Sequence, residues 1–269
     1  MSQKGGTMEE GTRPASVAGT FYPAEPDRLR AMIEEFLGNA KGKAEGTPRG
    51  MVVPHAGYIY SGQVAAYGYR QLQEIGKGIE RIILVGPSHY SAFFGAAESG
   101  MGFWQTPLGI VKAGTVRDKV ENKELISVAP EIHAPEHCLE VQVPFLQVIM
   151  EDFTIYPLLT GDVVPEVLAE ALLPLMDEKT FFIASSDLSH YHPYEKAVKL
   201  DSIANDAVPN FAFEKLKGAE ACGMTGMRTL MHVAKKSKWK GKMLEYRNSG
   251  DTAGDKSQVV GYGCYMFYE

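Results

Sequence analysis

Three apolar runs in this chain end in the same way: each stops at a turn of small residues, and a histidine follows. Met51-Val52-Val53 leads into Pro54-His55-Ala56-Gly57-Tyr58. Ile82-Ile83-Leu84-Val85 leads into Gly86-Pro87-Ser88-His89. Phe181-Phe182-Ile183-Ala184 leads into Ser185-Ser186-Asp187-Leu188-Ser189-His190. Runs without polar alternation predict strands buried on both faces, as in parallel sheets. In an open α/β sheet, ligands gather at the carboxyl ends of the strands. Three histidines distant in sequence are thus placed where they can converge, as a metal site or an acid–base site.

The rest of the chain alternates strand and helix. That order predicts a single α/β domain, with a central, mixed and mostly parallel sheet flanked by helices. Helices are predicted over Pro26–Leu37, from a Ser61 cap to Ile75, over Asp118–Val128 and over Glu136–Met150 with a kink or break at Pro144. Further helices are expected over Pro165–Met176, Tyr194–Val208 and Glu220–Ala234. Residues 92–116 read as loops and short strands, with Pro107–Val111 as one strand. Phe153–Leu159, Lys242–Asn248 and Val259–Tyr268 read as strands. The Gly261-Tyr262-Gly263 break in the last predicts a bulge or close backbone packing. Residues 1–12 are polar and Gly-rich and read as a flexible tail, with the domain over 13–269.

Charge and cysteine usage narrow the function classes. A net charge of −6 argues against general nucleic-acid binding. Lys235, Lys236, Lys238, Lys240 and Lys242 read as a solvated helix end running into a turn. No apolar run is long enough to span a membrane. Three cysteines cannot build a disulfide framework, which suggests a reducing, cytoplasmic setting.

The chemistry-bearing residues fall in short clusters. Imidazole is the commonest neutral nitrogen ligand and titrates near neutrality, so His55 and His89 read either as loop anchors or as ligands. Ser88 and Gly86 could offer backbone N–H groups to an anion. Asp187 and His190, three apart, share a face if their turn is helical, and the carboxylate could then orient the imidazole as a base. His137 and Glu140 also stand three apart, as helical metal ligands often do, and either can reach the site. Cys222 and Cys264 read as core filler, while Cys138 stays open. His133, His192 and His232 read as structural or exposed. No Gly-x-Ser-x-Gly elbow supports a serine hydrolase.

Taken in order, six motifs resemble the Memo family: Pro14-Ala-Ser-Val-Ala-Gly-Thr-Phe-Tyr-Pro23, Pro54-His55-Ala56-Gly57-Tyr58, Gly86-Pro87-Ser88-His89, Glu136-His137 through Pro144, Ser185-Ser186-Asp187 through His190, and Ala221-Cys222-Gly223. The resemblance implies a fold similar to that of class III, non-haem-iron extradiol dioxygenases. It implies metal ligands at His55, His89 and Cys222, with His190, Asp187 and His137 as catalytic neighbours and Glu140, Tyr58 and Ser88 elsewhere in the pocket. It also implies iron(II) or copper as the metal, with zinc as an alternative, and a radical-SAM partner protein. The dioxygenases carry a carboxylate where this chain has Cys222, and a thiolate changes iron's redox behaviour.

Three functions follow as expectations. The first is a mononuclear metal–redox protein acting on a small-molecule or peptide ligand. The second is a non-catalytic module that binds a peptide or small anion in the same pocket. The third is a zinc hydrolase, in which two histidines and a thiolate activate water.

Overall fold

The computed structural model describes residues 11–269. The expected polar tail therefore lies outside the described residues as far as residue 10. Its last residue, Thr12, is buried and paired in a strand rather than part of a loose tail.

In chain order the first half runs β1 (Thr12–Arg13), α1 (Pro26–Asn39), β2 (Pro48–Val53), α2 (Tyr58–Ile75), β3 (Arg81–Pro87), β4 (Ala96–Glu98), β5 (Phe103–Thr106), β6 (Gly109–Ala113), β7 (Ile126–Val128), α3 (Pro130–His133) and α4 (Val143–Ile149). The second half runs β8 (Thr154–Thr160), α5 (Pro165–Leu172), β9 (Thr180–Ser185), β10 (His190–His192), α6 (Tyr194–Ala207), α7 (Phe213–Leu216), α8 (Met224–Lys236), β11 (Lys240–Asn248), α9 (Ser249–Thr252) and β12 (Val259–Tyr268).

One sheet unites the strands in the order β1-β5-β6-β8-β3-β9-β2-β12-β10, with β11 beside β12 and β4 beside β8. Its centre, β6-β8-β3-β9-β2, is parallel, and β12 closes it antiparallel. The three histidine-delivering strands β3, β9 and β2 are consecutive in that order. Alternate residues of each enter different cores. Ile82 and Leu84 of β3 pack with Leu29, Tyr69 and Phe145 on the α1, α2 and α4 side. Ile83 and Val85 pack with Leu168, Met227 and Leu230 on the α5 and α8 side. Both faces are covered, which is why these runs are apolar throughout.

Packing corrects two local expectations, the helix over 118–128 and the Ser61 cap, and decides between the alternatives in two others. The helix expected over Asp118–Val128 is two 3₁₀ turns leading into β7, because Val116, Val120 and Ile126 are all buried and Ile126 pairs with Ala96 of β4. The Glu136–Met150 segment is broken, with a 3₁₀ turn at Glu140–Gln142 and α4 starting afresh at Val143. Pro144 then sits in the first turn, where its missing N–H leaves no helical bond unmade. Ser61 lies inside α2, where its hydroxyl donates to the Ala56 carbonyl. The bulge belongs to β11 between Met243 and Glu245, whereas Gly261 and Gly263 mark close packing.

His133 ends α3 fully buried, its Nε2 donating to the Ala97 carbonyl at 2.9 Å. Burial lowers its pKa from 6.5 to about 4, against the pull of that carbonyl. Between those values the unfolded chain takes up a proton that the fold refuses. Stability is then full above pH 6.5 and falls as pH drops through the window, by roughly 3 kcal/mol at most. Urea midpoints at pH 7 and pH 4.5 are expected to differ more in the wild type than in His133→Leu. Equal differences would show that this histidine does not govern the acid slope.

Candidate metal centre

The carboxyl ends of β2 and β3, together with the turn after α3, deliver three imidazoles to one place. One donor nitrogen from each of His55, His89 and His137 lies within 4.8 Å of the other two. Ring centroids are 5.2 Å apart for His55 and His89, 5.6 Å for His55 and His137, and 4.7 Å for His89 and His137.

Hydrogen bonds decide which nitrogen each ring offers. Ser185 Oγ, at the end of β9, donates its only proton to the Cys138 carbonyl at 2.7 Å. It can then only accept from His55 Nδ1 at 2.9 Å, as it does from Gln142 Nε2 at 2.9 Å. His55 therefore carries its proton on Nδ1 and keeps a lone pair on Nε2. Burial, and next the positive charge that His89 and His137 can carry, hold its pKa well below the usual imidazole range. The neutral, ligating form is the resting one.

Glu136 does the same for His89 and stands beside His137. Its Oε1 accepts from His89 Nδ1 at 2.9 Å and stands 3.1 Å from His137 Nδ1. The second contact is off the line a hydrogen bond needs, so it acts through charge. The carboxylate also accepts the His89, His137 and Cys138 amides at 2.7, 2.8 and 3.1 Å. Burial opposes its ionisation, but the nearness of His137 and the bonds from His89 win, and its pKa is lowered. An imidazole bound to a carboxylate through Nδ1 presents Nε2 as a more basic ligand. The sequence names Glu136 only as the start of its motif and gives it no role in the site, although it directly precedes His137.

Asp187 and His190 line the same pocket as the three imidazoles. Residues 186–189 are not helical, so the expected i, i+3 face does not form. Asp187 Oδ1 instead accepts the His55 amide at 2.7 Å and pins the backbone at the ligand. Burial raises its pKa despite that bond.

Cys222 sits in the turn just before α8, not on the helix, and Gly223 caps that helix. Its Sγ lies 3.2 Å from His55 Nε2 and accepts the Asp187 amide at 3.3 Å. It touches His55 but falls outside the group whose donor atoms all lie within 4.8 Å. Burial, and then the Asp187 charge, push its pKa up to about 12, so without a metal it is a thiol.

Three expected pocket residues point elsewhere. Tyr58 is buried at the start of α2 and donates to the Val141 carbonyl at 2.6 Å. Ser88 Oγ donates to the Ser91 carbonyl at 2.8 Å and closes its own turn. Glu140 faces away from the histidines to an ion pair with Arg13 at 2.6 Å, because the chain there is a 3₁₀ turn rather than a long helix. The walls come instead from Phe21, Tyr60, Tyr191 and Tyr262. Phe21 packs on His137 with centroids 4.6 Å apart. Cys138 and Cys264 are fully buried, and Cys138 Sγ donates to the Pro87 carbonyl.

An α/β domain that brings three imidazoles together beside the ends of its central parallel strands, with a carboxylate behind two of them, is a candidate metal-binding protein. The family model described as Memo-like protein matches residues 13–266. A MEMO1 family protein of Sulfurisphaera tokodaii is 37% identical over 282 residues, spanning 95% of this chain and 99% of its own. Its counterpart in Archaeoglobus fulgidus is 38% identical over 269 residues, with the same coverage. This chain belongs to the Memo family.

Proposed function

We propose that the chain is a mononuclear metal-binding protein with a redox role toward a small-molecule or peptide ligand. The observation that carries this reading is the three-imidazole group, in which His55 Nδ1 is bonded to Ser185 and His89 Nδ1 to Glu136, so that both rings turn Nε2 toward the site, with His137 within reach of both. Such donors suit iron(II), copper or zinc. His55 and His89 are supported by both geometry and resemblance. His137 is supported by distance, and Cys222 by resemblance and its contact with His55 Nε2.

Bound iron(II) or copper would supply one-electron chemistry toward dioxygen or an organic ligand. The chain's own residues would hold the ion, exclude water behind Ser185 and Asp187, and offer His190 as a group that takes or gives a proton inside the pocket. The anion-binding alternative has less support, because no lysine or arginine is among the lining residues. Three unpaired cysteines support a reducing, cytoplasmic setting. Among the described residues no helix is long and apolar enough to cross a membrane.

Metal analysis of untagged protein, purified without chelator, tests the ligand set. His55→Ala and His89→Ala are expected to lose the metal. His137→Ala and Cys222→Ser are each expected to weaken it ten-fold or more. Equal content in all variants sinks the proposal. Zinc as the retained metal, with no oxygen uptake, moves the reading to a hydrolase.

A further inference from the structure

The glycine–tyrosine–glycine break in β12 has no part in holding a metal, yet its tyrosine enters the pocket. A Cβ at Gly261 would come within 2.0 Å of Asp201 Oδ2, and one at Gly263 within 2.5 Å of the Tyr265 hydroxyl. Only glycine fits on either side, so Tyr262 is held between two tightly packed positions. Gly261 is also strapped to the loop bearing Asp187 and His190. The Leu188 amide donates to its carbonyl at 2.8 Å, and its own amide donates to the Ser189 carbonyl at 2.9 Å. Tyr262 thus directly follows a residue bonded within that loop, is 2% exposed, and lines the cavity.

The same cavity holds about 590 Å³, within the range of small-ligand sites. Phe21, Tyr60 and Tyr191 share its wall with Tyr262. Tyr191 adopts a left-handed backbone (φ 59°), unusual for a bulky residue, and the residue is 68% exposed while lining the cavity. Pairing of His190 and His192 with Val260 and Val259 holds it there. Strain kept at a pocket mouth by its flanks points to a ligand-facing role.

We propose that Tyr262 is a ligand-contacting hydrogen-bond donor, and that with Phe21, Tyr60 and Tyr191 it selects a flat, uncharged organic ligand bearing a carbonyl-type oxygen. This deepens the proposed function by naming the ligand class; it rests on the same pocket but needs no metal. Burial first, and then the nearby Asp187 charge, raise the phenol's pKa, so it remains a donor throughout the working pH range. Aromatic walls favour a flat π-surface. An anion would meet Asp187 and Asp255, and among the described lining residues only histidines, with no lysine or arginine, could balance it.

The test uses the metal-free full chain, so its failure is distinguishable from failure of the metal reading. The probes are 7-methoxycoumarin, which is neutral, and coumarin-3-carboxylate, which is its anionic relative. Fluorescence titration is expected to show saturable binding of the neutral probe, weakened about five-fold in Tyr262→Phe, the worth of one hydrogen bond. Tyr191→Ala is expected to weaken it further while leaving the bound emission wavelength unchanged. The anionic probe is expected to bind less tightly. In the wild type, nuclear Overhauser contacts are expected between bound coumarin and the Tyr262 ring, a readout that does not depend on any variant folding. No binding of the neutral probe, wild-type affinity in Tyr262→Phe, missing Overhauser contacts, or an anion that binds as tightly would each overturn the proposal.

Discussion

Replacing Glu140 with alanine is expected to cost about 3–5 kcal/mol of stability, the range for breaking a buried ion pair from one side. The carboxylate is fully buried. It accepts from Arg13 Nη1 and the Tyr22 hydroxyl at 2.6 Å each, from the Ser16 amide at 2.8 Å and from the Val17 amide at 3.0 Å. Without it, Arg13 stays buried with no anionic partner, held by the Pro14, His133 and Glu136 carbonyls and the Trp104 ring. Two amides and a phenol lose their acceptor as well. Glu140→Gln keeps one acceptor oxygen and should cost less than alanine. Urea denaturation followed by circular dichroism checks both variants. A loss below about 1 kcal/mol for alanine would mean that water replaces these bonds, and the clamp assignment would fail. Hydrogen exchange should rise first over residues 16–22, which include the Phe21 that packs on His137.

Glu136→Gln is expected to weaken metal binding by about 10- to 100-fold, the usual effect of removing a carboxylate behind a ligating histidine. The reason is directional. Glutamine offers one acceptor oxygen and one NH₂ where the carboxylate offers two acceptors. The His89 amide and the His89 Nδ1 approach different carboxylate oxygens. One of them must then face an NH₂. If it is the ring, His89 is driven toward the opposite tautomer and its Nε2 lone pair is lost to the site. Isothermal titration with a single divalent metal, beside thermal unfolding of the apo form, separates affinity from stability. Unchanged affinity would remove Glu136 from the site's working parts.

Much of the architecture was legible because it depends on short-range pattern. Apolar runs without alternation mark strands covered on both faces, and β2, β3 and β9 lie where those runs are. The segment over residues 118–128 was misread because its buried valines and isoleucine fit a helical spacing as well as a turn-and-strand path. Only pairing with β4 favours the second. The site was legible in its histidines and not in its supports. Glu140 attracted attention by its helical spacing from His137, yet the working carboxylate is Glu136, one residue before that histidine. Spacing can rank ligands along a helix, but this stretch breaks into a 3₁₀ turn, and the two acids diverge.

The amino-acid sequence by itself determined the two-sided strands, the histidines at their ends and the absence of a disulfide framework, since each follows from local composition and periodicity. Tertiary structure alone decided that Ser185 and Glu136 set the His55 and His89 tautomers, that Glu140 clamps Arg13, and that Tyr262 lines the pocket. Those roles depend on contacts of a few ångströms between residues up to 130 positions apart, as from His55 to Ser185, and no local pattern encodes which distant atoms will meet.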